Sequence, residues 1–149
     1  MMTKFLVDRM LGQTTKWLRF LGIDAKYAPK GDDEKLLKIA EEEDRVIITR
    51  DKELANNDRV MLVEKAPPEE IIPEVLKIYQ TELKPLTICS NCNSLVEKID
   101  KSKVVDKVPE GVLERNDEFW ICDRCDKVYW KGTHWENILE KIDKMKEKV

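Results

Sequence analysis

Short apolar runs alternate with amphipathic stretches through the first half of the chain. "KFLV" (4–7), "IDAKYA" (23–28), "RVIIT" (45–49) and "RVMLVE" (59–64) have the length and composition of strands. Helical patterns lie between and after them. In "MLGQTTKWLRFLG" (10–22), Met10, Thr14, Trp17, Leu18 and Leu21 share one face, and Gly22 is placed to cap the end. "GDDEKLLKIAEEED" (31–44) offers Asp32 or Asp33 as N-cap, with Leu36, Leu37, Ile39 and Ala40 as its apolar side. "RDKELANN" (50–57) predicts a short helix. "PPEEIIPEVLKIYQTEL" (67–83) predicts a longer one, with Pro68 in its first turn and Pro73 positioned to bend it. Repeated strand–helix alternation predicts an α/β fold, a parallel sheet with flanking helices.

After Pro85 the rhythm breaks. Residues 86–132 show little helical periodicity and contain all four cysteines. From His134 a helical pattern returns, with Trp135, Ile138, Leu139, Ile142 and Met145 forming an apolar stripe that must dock on the α/β unit or on a partner. The chain therefore divides into an α/β domain, residues 1–84, and a cysteine module with a C-terminal helix, residues 85–149.

Composition narrows the classes. A hydrophobic content of 42% suffices for a core, while a net charge of −3 supplies no bulk field for nucleic acid, so any such contact needs a local patch. No apolar run approaches the roughly 20 residues of a membrane span, and the start has no signal-peptide pattern. A cytoplasmic location follows as the expectation, and there thiols stay reduced.

That matters for "ICSNC" and "ICDRC". Cys89 with Cys92 and Cys122 with Cys125 are two C-x-x-C pairs, each able to aim both sulfurs at one ion and together completing a structural zinc site. The 29 residues separating Cys92 from Cys122 exceed the usual spacing and must be accommodated as an insertion. Disulfides or unrelated buried thiols are the alternatives, and a reducing compartment disfavours the first. Four thiolates close the coordination, so His134 is not required as a ligand; it is a capping or packing residue, or a substrate contact.

In an open parallel sheet, ligands bind beyond the carboxyl ends of the strands. Asp8 follows the first strand, Asp32 and Asp33 come shortly after the second, and Asp51 follows the third. Asp24 begins the second strand and belongs at the opposite end; Glu64 ends the fourth and is a weaker candidate. Each aspartate can instead cap the helix behind it. Converging carboxylates, however, call for a cation, and oxygen donors suit Mg²⁺ or Mn²⁺. Close by, Arg9, Lys16 and Arg19 occur with no acid between Asp8 and Asp24, and Arg50 precedes Asp51. Lys16 and Arg19 share a helix face away from the Met10–Trp17–Leu21 stripe, a basic strip suited to a phosphate backbone or simply to solvent.

Taken together, "KFLVDRMLGQTTKWLRFLGIDAKY", "DDEKLLKIA", "VIITRDKELA", the paired C-x-x-C and "VYWKGTHW" resemble the Mut-seven C-terminal RNase family over about residues 4–140. The resemblance implies a PIN-like nuclease domain fused to a zinc ribbon. It also implies acidic residues at the strand ends holding one or two Mg²⁺ or Mn²⁺ ions that hydrolyse RNA. Asp8 then corresponds to the first catalytic aspartate, Asp51 to a later one, and Asp33, or the adjacent Asp32, to an additional acid. Arg19 and Arg50 match basic positions expected to contact phosphate. The "QTT" at 13–15 thins the basic strip, and Glu64 is the nearest option for a fourth acid. The expected function is a metal-dependent ribonuclease with RNA as partner. A non-catalytic RNA- or ribosome-binding protein, or a protein-interaction module using the ribbon, are the competing readings.

Overall fold

The computed structural model describes residues 2–149. Four strands, β1 (Lys4–Val7), β2 (Ala25–Tyr27), β3 (Arg45–Thr49) and β4 (Val60–Leu62), form one parallel sheet in the order β2-β1-β3-β4. Strand alternation feeds two cores. Phe5, Val7 and Ile48 face α1 (Gly12–Phe20) and α3 (Pro68–Ile78), packing with Trp17, Leu18, Leu21, Ile72 and Val75. Leu6 and Ile47 face α2 (Asp33–Glu43) and pack with Ala28, Leu36 and Ala40. The expected α/β architecture is present.

Several elements are shorter than the sequence pattern: β2 and β4 have three residues each, and α3 ends at Ile78 rather than 83. The predicted 10–22 helix is split: a 3-10 turn covers Arg9–Leu11, and α1 starts only at Gly12. Met10 therefore leaves the apolar stripe and is 52% exposed, while Leu11 is buried. The 50–57 helix shrinks to a 3-10 turn, Lys52–Leu54. Gly22 does end the first helical segment, with φ +81° and its N–H donating to the Arg19 carbonyl. A Cβ there would fall 2.0 Å from the Lys84 carbonyl oxygen, so only glycine lets the two segments cross.

The second half builds a three-stranded antiparallel sheet from β5 (Val96–Ile99), β6 (Phe119–Cys122) and β7 (Val128–Tyr129). The insertion between the cysteine pairs supplies β5, most of β6 and a short helix α4 (Glu110–Arg115) between them. The last helix, α5 (Thr133–Glu147), returns to the α/β unit. Ile142 and Met145 are each 1% exposed within the α1/α3 core, and Leu139, expected on the same stripe, lies at its exposed margin. The helix grouped by sequence with the cysteine module thus completes the core of the first unit. At this contact Lys148 Nζ lies 3.4 Å from the Glu69 carbonyl, the acceptor that Pro73, inside α3, leaves without its helical N–H. Among the described residues no helix is long and apolar enough to cross a membrane.

Candidate functional site

The order β2-β1-β3-β4 places the topological switch between β1 and β3, where the connections leave to opposite faces of the sheet. Asp8 and Asp51 follow these two strands. Asp8 does not cap the turn behind it. Its side chain makes no capping bond, and its Oδ2 instead accepts from Thr49 Oγ1 at 2.6 Å. The Thr49 oxygen in turn accepts from the Asp51 N–H at 3.0 Å. One fully buried hydroxyl therefore ties the two strand ends together. Asp51 itself caps the following 3-10 turn, accepting from the Glu53 N–H.

The neighbouring pair Asp32 and Asp33 separates by position in the helix. Asp32 is the N-cap of α2 and accepts from the Lys35 N–H at 3.0 Å. Asp33 is the first residue inside, and its carboxylate is left to the edge of the sheet. There Asp33, Asp51 and Glu53 each offer an oxygen within 4.8 Å of the others. The Asp33 carboxyl is held above the ordinary carboxylate range, first by desolvation, then by the charge of Asp51 and its shared hydrogen bond, and by Glu53 and Asp8 beyond. Hard oxygen donors crowded in this way fit a divalent cation such as Mg²⁺ or Mn²⁺. Asp8 stands beside this group rather than within its tightest part. The further acid here is Glu53, which sequence reasoning missed although it lies two residues after Asp51. Glu64 is exposed beyond β4 and is not a member of the cluster. Asp24, as expected, sits at the opposite end, paired with Arg45 at 2.7 Å.

The basic residues scatter. Arg9 is exposed beside Asp8, and the half-buried Arg50 reaches Met10 Sδ with its Nε at 3.1 Å, so both border the acidic edge. Lys16 is exposed further along α1, its ammonium 5.7 Å from the Phe20 ring. Arg19 does not join Lys16 on a solvent face. It is buried, donating from Nε to the Ala25 carbonyl at 2.8 Å and from Nη1 to the Ser90 carbonyl at 3.1 Å. Burial lowers its pKa, opposed by the nearby Cys89, Cys92 and Asp24. The phosphate contact expected of Arg19 gives way to a strut between the α/β unit and the cysteine module.

The four cysteines converge. Cys89 and Cys125 sulfurs lie 3.7 Å apart and Cys92 and Cys122 sulfurs 3.3 Å apart, all four within 4.8 Å of one another. A tetrahedral zinc with Zn–S near 2.3 Å sets sulfurs about 3.8 Å apart, so the donor set fits. Both turns are built alike. The residue after each second cysteine, Asn93 and Asp126, takes positive φ, 66° and 61°, a conformation Asn and Asp tolerate well. Amides of Arg124 and Cys125 point at the Cys122 sulfur at 3.4 and 3.5 Å. The Tyr129 hydroxyl lies 3.0 Å from the Cys89 sulfur and accepts from the Ser90 N–H. Asn93 also fastens the module to the sheet: its Oδ1 accepts from the Ala25 N–H at 3.0 Å, and its Nδ2 donates to Asp24 at 2.6 Å. The cysteine module is thus anchored at the amino end of β2, and the carboxylates gather at the other end of the sheet. His134 packs edge-to-face on Trp130, with centroids 5.8 Å apart, and makes no capping bond to α5.

No curated protein matches the chain. The family model described as the Mut7-C RNAse domain does match, over residues 3–142. With nearly the whole chain covered, both the acidic edge and the cysteine cluster lie inside the matched region. The chain belongs to the Mut7-C RNAse domain family.

Proposed function

We propose that this protein is a divalent-metal-dependent ribonuclease hydrolysing RNA phosphodiester bonds at the carboxyl edge of its parallel sheet. The observation that carries this reading is the group of Asp33, Asp51 and Glu53 carboxylates within 4.8 Å, beside Asp8, in a member of a family described as an RNase domain. Asp8, Asp33 and Asp51 are the residues that would hold Mg²⁺ or Mn²⁺, with Glu53 completing the donors. Such an ion, when bound, supplies Lewis acidity to water and to a phosphoryl oxygen. Thr49 fixes the Asp8 carboxylate in one orientation and thereby the spacing of the two strand ends. Arg9 and Arg50, bordering the acids, hold the phosphate against their repulsion. Cys89, Cys92, Cys122 and Cys125 bind a structural zinc, which folds the ribbon that assists RNA binding.

Zinc-loaded wild type, Asp8→Asn and Asp33→Asn, incubated with end-labelled RNA in Mg²⁺, in Mn²⁺ or without added divalent ion, test this. Metal-dependent cleavage by wild type, with each variant reduced by more than about a hundredfold, is the expected result. Cleavage by both variants at the wild-type rate would remove the acidic edge from the mechanism.

A further inference from the structure

The ribbon, α1 and the start of α5 enclose a cleft of about 450 Å³, separate from the acidic edge. Its walls carry the rings of Phe20, Tyr129 and Trp130, with Lys16, Lys127 and His134 at the rim. In a chain where 38% of residues are charged, no aspartate or glutamate lines it. The Lys16 ammonium lies 5.7 Å from the Phe20 ring centroid and that of Lys127 5.2 Å from the Tyr129 centroid. Neither lysine forms an ion pair among the described residues. The Tyr129 ring is fixed because its hydroxyl is tied to Cys89 and Ser90.

We propose that this cleft binds one unpaired nucleotide of a single-stranded RNA, its base stacked on the aromatic walls and its phosphate held by Lys16 and Lys127. Flat ring faces with cations at the rim match a ligand that brings a flat base and an anion together, and aromatic platforms bind bases with little sequence preference. The volume suits one small ligand and is too small for a helix or folded partner. Helix α1 connects the two places: it begins beside the acidic edge and runs roughly 13 Å to Phe20. An RNA strand crossing the acids can therefore lay a neighbouring nucleotide in the cleft. This rests on RNA being the substrate, and it assigns the ribbon's share of the grip to specific residues.

The test is fluorescence anisotropy of a labelled, unstructured RNA of about ten nucleotides with the zinc-loaded full chain and no added divalent ion. Lys16→Glu/Lys127→Glu is expected to weaken binding by more than tenfold and to reduce the slope of log affinity against log salt by about 0.7, one phosphate contact on a single strand. Trp130→Leu is expected to weaken it about tenfold without changing that slope. Lys16→Glu alone, which lies outside the ribbon, decides the matter if the double variant loses zinc. Unchanged affinity in these variants, equal binding of the base-paired duplex, or equal binding of free AMP would overturn the proposal. Cleavage by wild type in Mn²⁺, set beside these affinities, separates the two readings. Cleft-dependent binding without cleavage by wild type in Mn²⁺ refutes the nuclease and keeps the cleft, whereas cleavage with affinity indifferent to Lys16 and Lys127 refutes the cleft alone.

Discussion

The two ligand clusters of this protein are held in opposite ways. At the cysteine cluster the surroundings orient the donors: amides point at Cys122, Tyr129 reaches Cys89, and Asn93 locks the turn to the sheet. At the acidic edge the donors face each other, and Asp33 is forced above its ordinary range. Only Asp8 and Asp51 are steadied, through Thr49 and a capping bond. A closed site whose surroundings orient its ligands suits structure, and an open site under like-charge repulsion suits chemistry that needs an exchangeable cation. The comparison also predicts opposite signs on mutation, because losing a cysteine removes support whereas losing a carboxylate relieves repulsion.

The largest effect is expected from the cysteines. Cys122→Ala, or zinc removal by a chelator, should unfold β5–β7, since structural zinc contributes on the order of 10 kcal/mol to folding such modules. Amide spectra with a zinc titration would show the ribbon signals collapse. If they persist, the cluster is not the ribbon's fold determinant. Next comes Asp33→Asn, expected to reduce cleavage more than about a hundredfold while raising the melting temperature of protein without divalent ion. A lowered melting temperature would break the contrast between the clusters.

Arg19→Met removes a buried charged donor from two carbonyls and should cost about 2–3 kcal/mol in denaturant unfolding, with activity per folded molecule retained. Thr49→Val leaves the Asp51 N–H and the Asp8 carboxylate without their shared hydroxyl and should cost about 1–2 kcal/mol, with more divalent ion needed for half-maximal cleavage. The smallest effect is a pH slope. A raised Asp33 pKa means the folded state binds its proton more tightly than the unfolded chain. Its contribution to stability is thus present below the ordinary aspartate range and lost as pH rises through the Asp33 titration. Melting curves without divalent ion should show this decline, and Asp33→Asn should flatten it.

Much of this was legible from the chain. Strand-end position alone singled out Asp8 and Asp51, because apolar runs of strand length mark where the sheet stops. Asp32 and Asp33 were not separable, since the two differ only in which occupies the N-cap, a matter of one residue in helix phase. Arg19 was misplaced for a different reason. Its face was taken as solvent because it lies three residues from Lys16 within α1, whereas the cysteine module covers Arg19 there and accepts its guanidinium at the Ser90 carbonyl. Its partner Ser90, 71 residues away, leaves no local trace. Glu53 was hidden because a helix was expected over 50–57, where it would be one more solvated acid; the 3-10 turn brings it back toward Asp51.

The placement of Ile142 and Met145 in the core of the first unit bears on how the chain is made. Leu76 and Val75 emerge from the ribosome 66 to 70 residues before Ile142 and Met145 of the same core, a delay of several seconds at about 5–20 residues per second. During that interval one face of α1 and α3 is uncovered, and the ribbon is synthesised as a loop between the two halves of an unfinished core. Zinc held by the four cysteines, as proposed, would do more than shape the ribbon. By drawing β5–β7 together it would shorten the tether that brings α5 home, so metal supply during translation should govern how much nascent chain escapes aggregation.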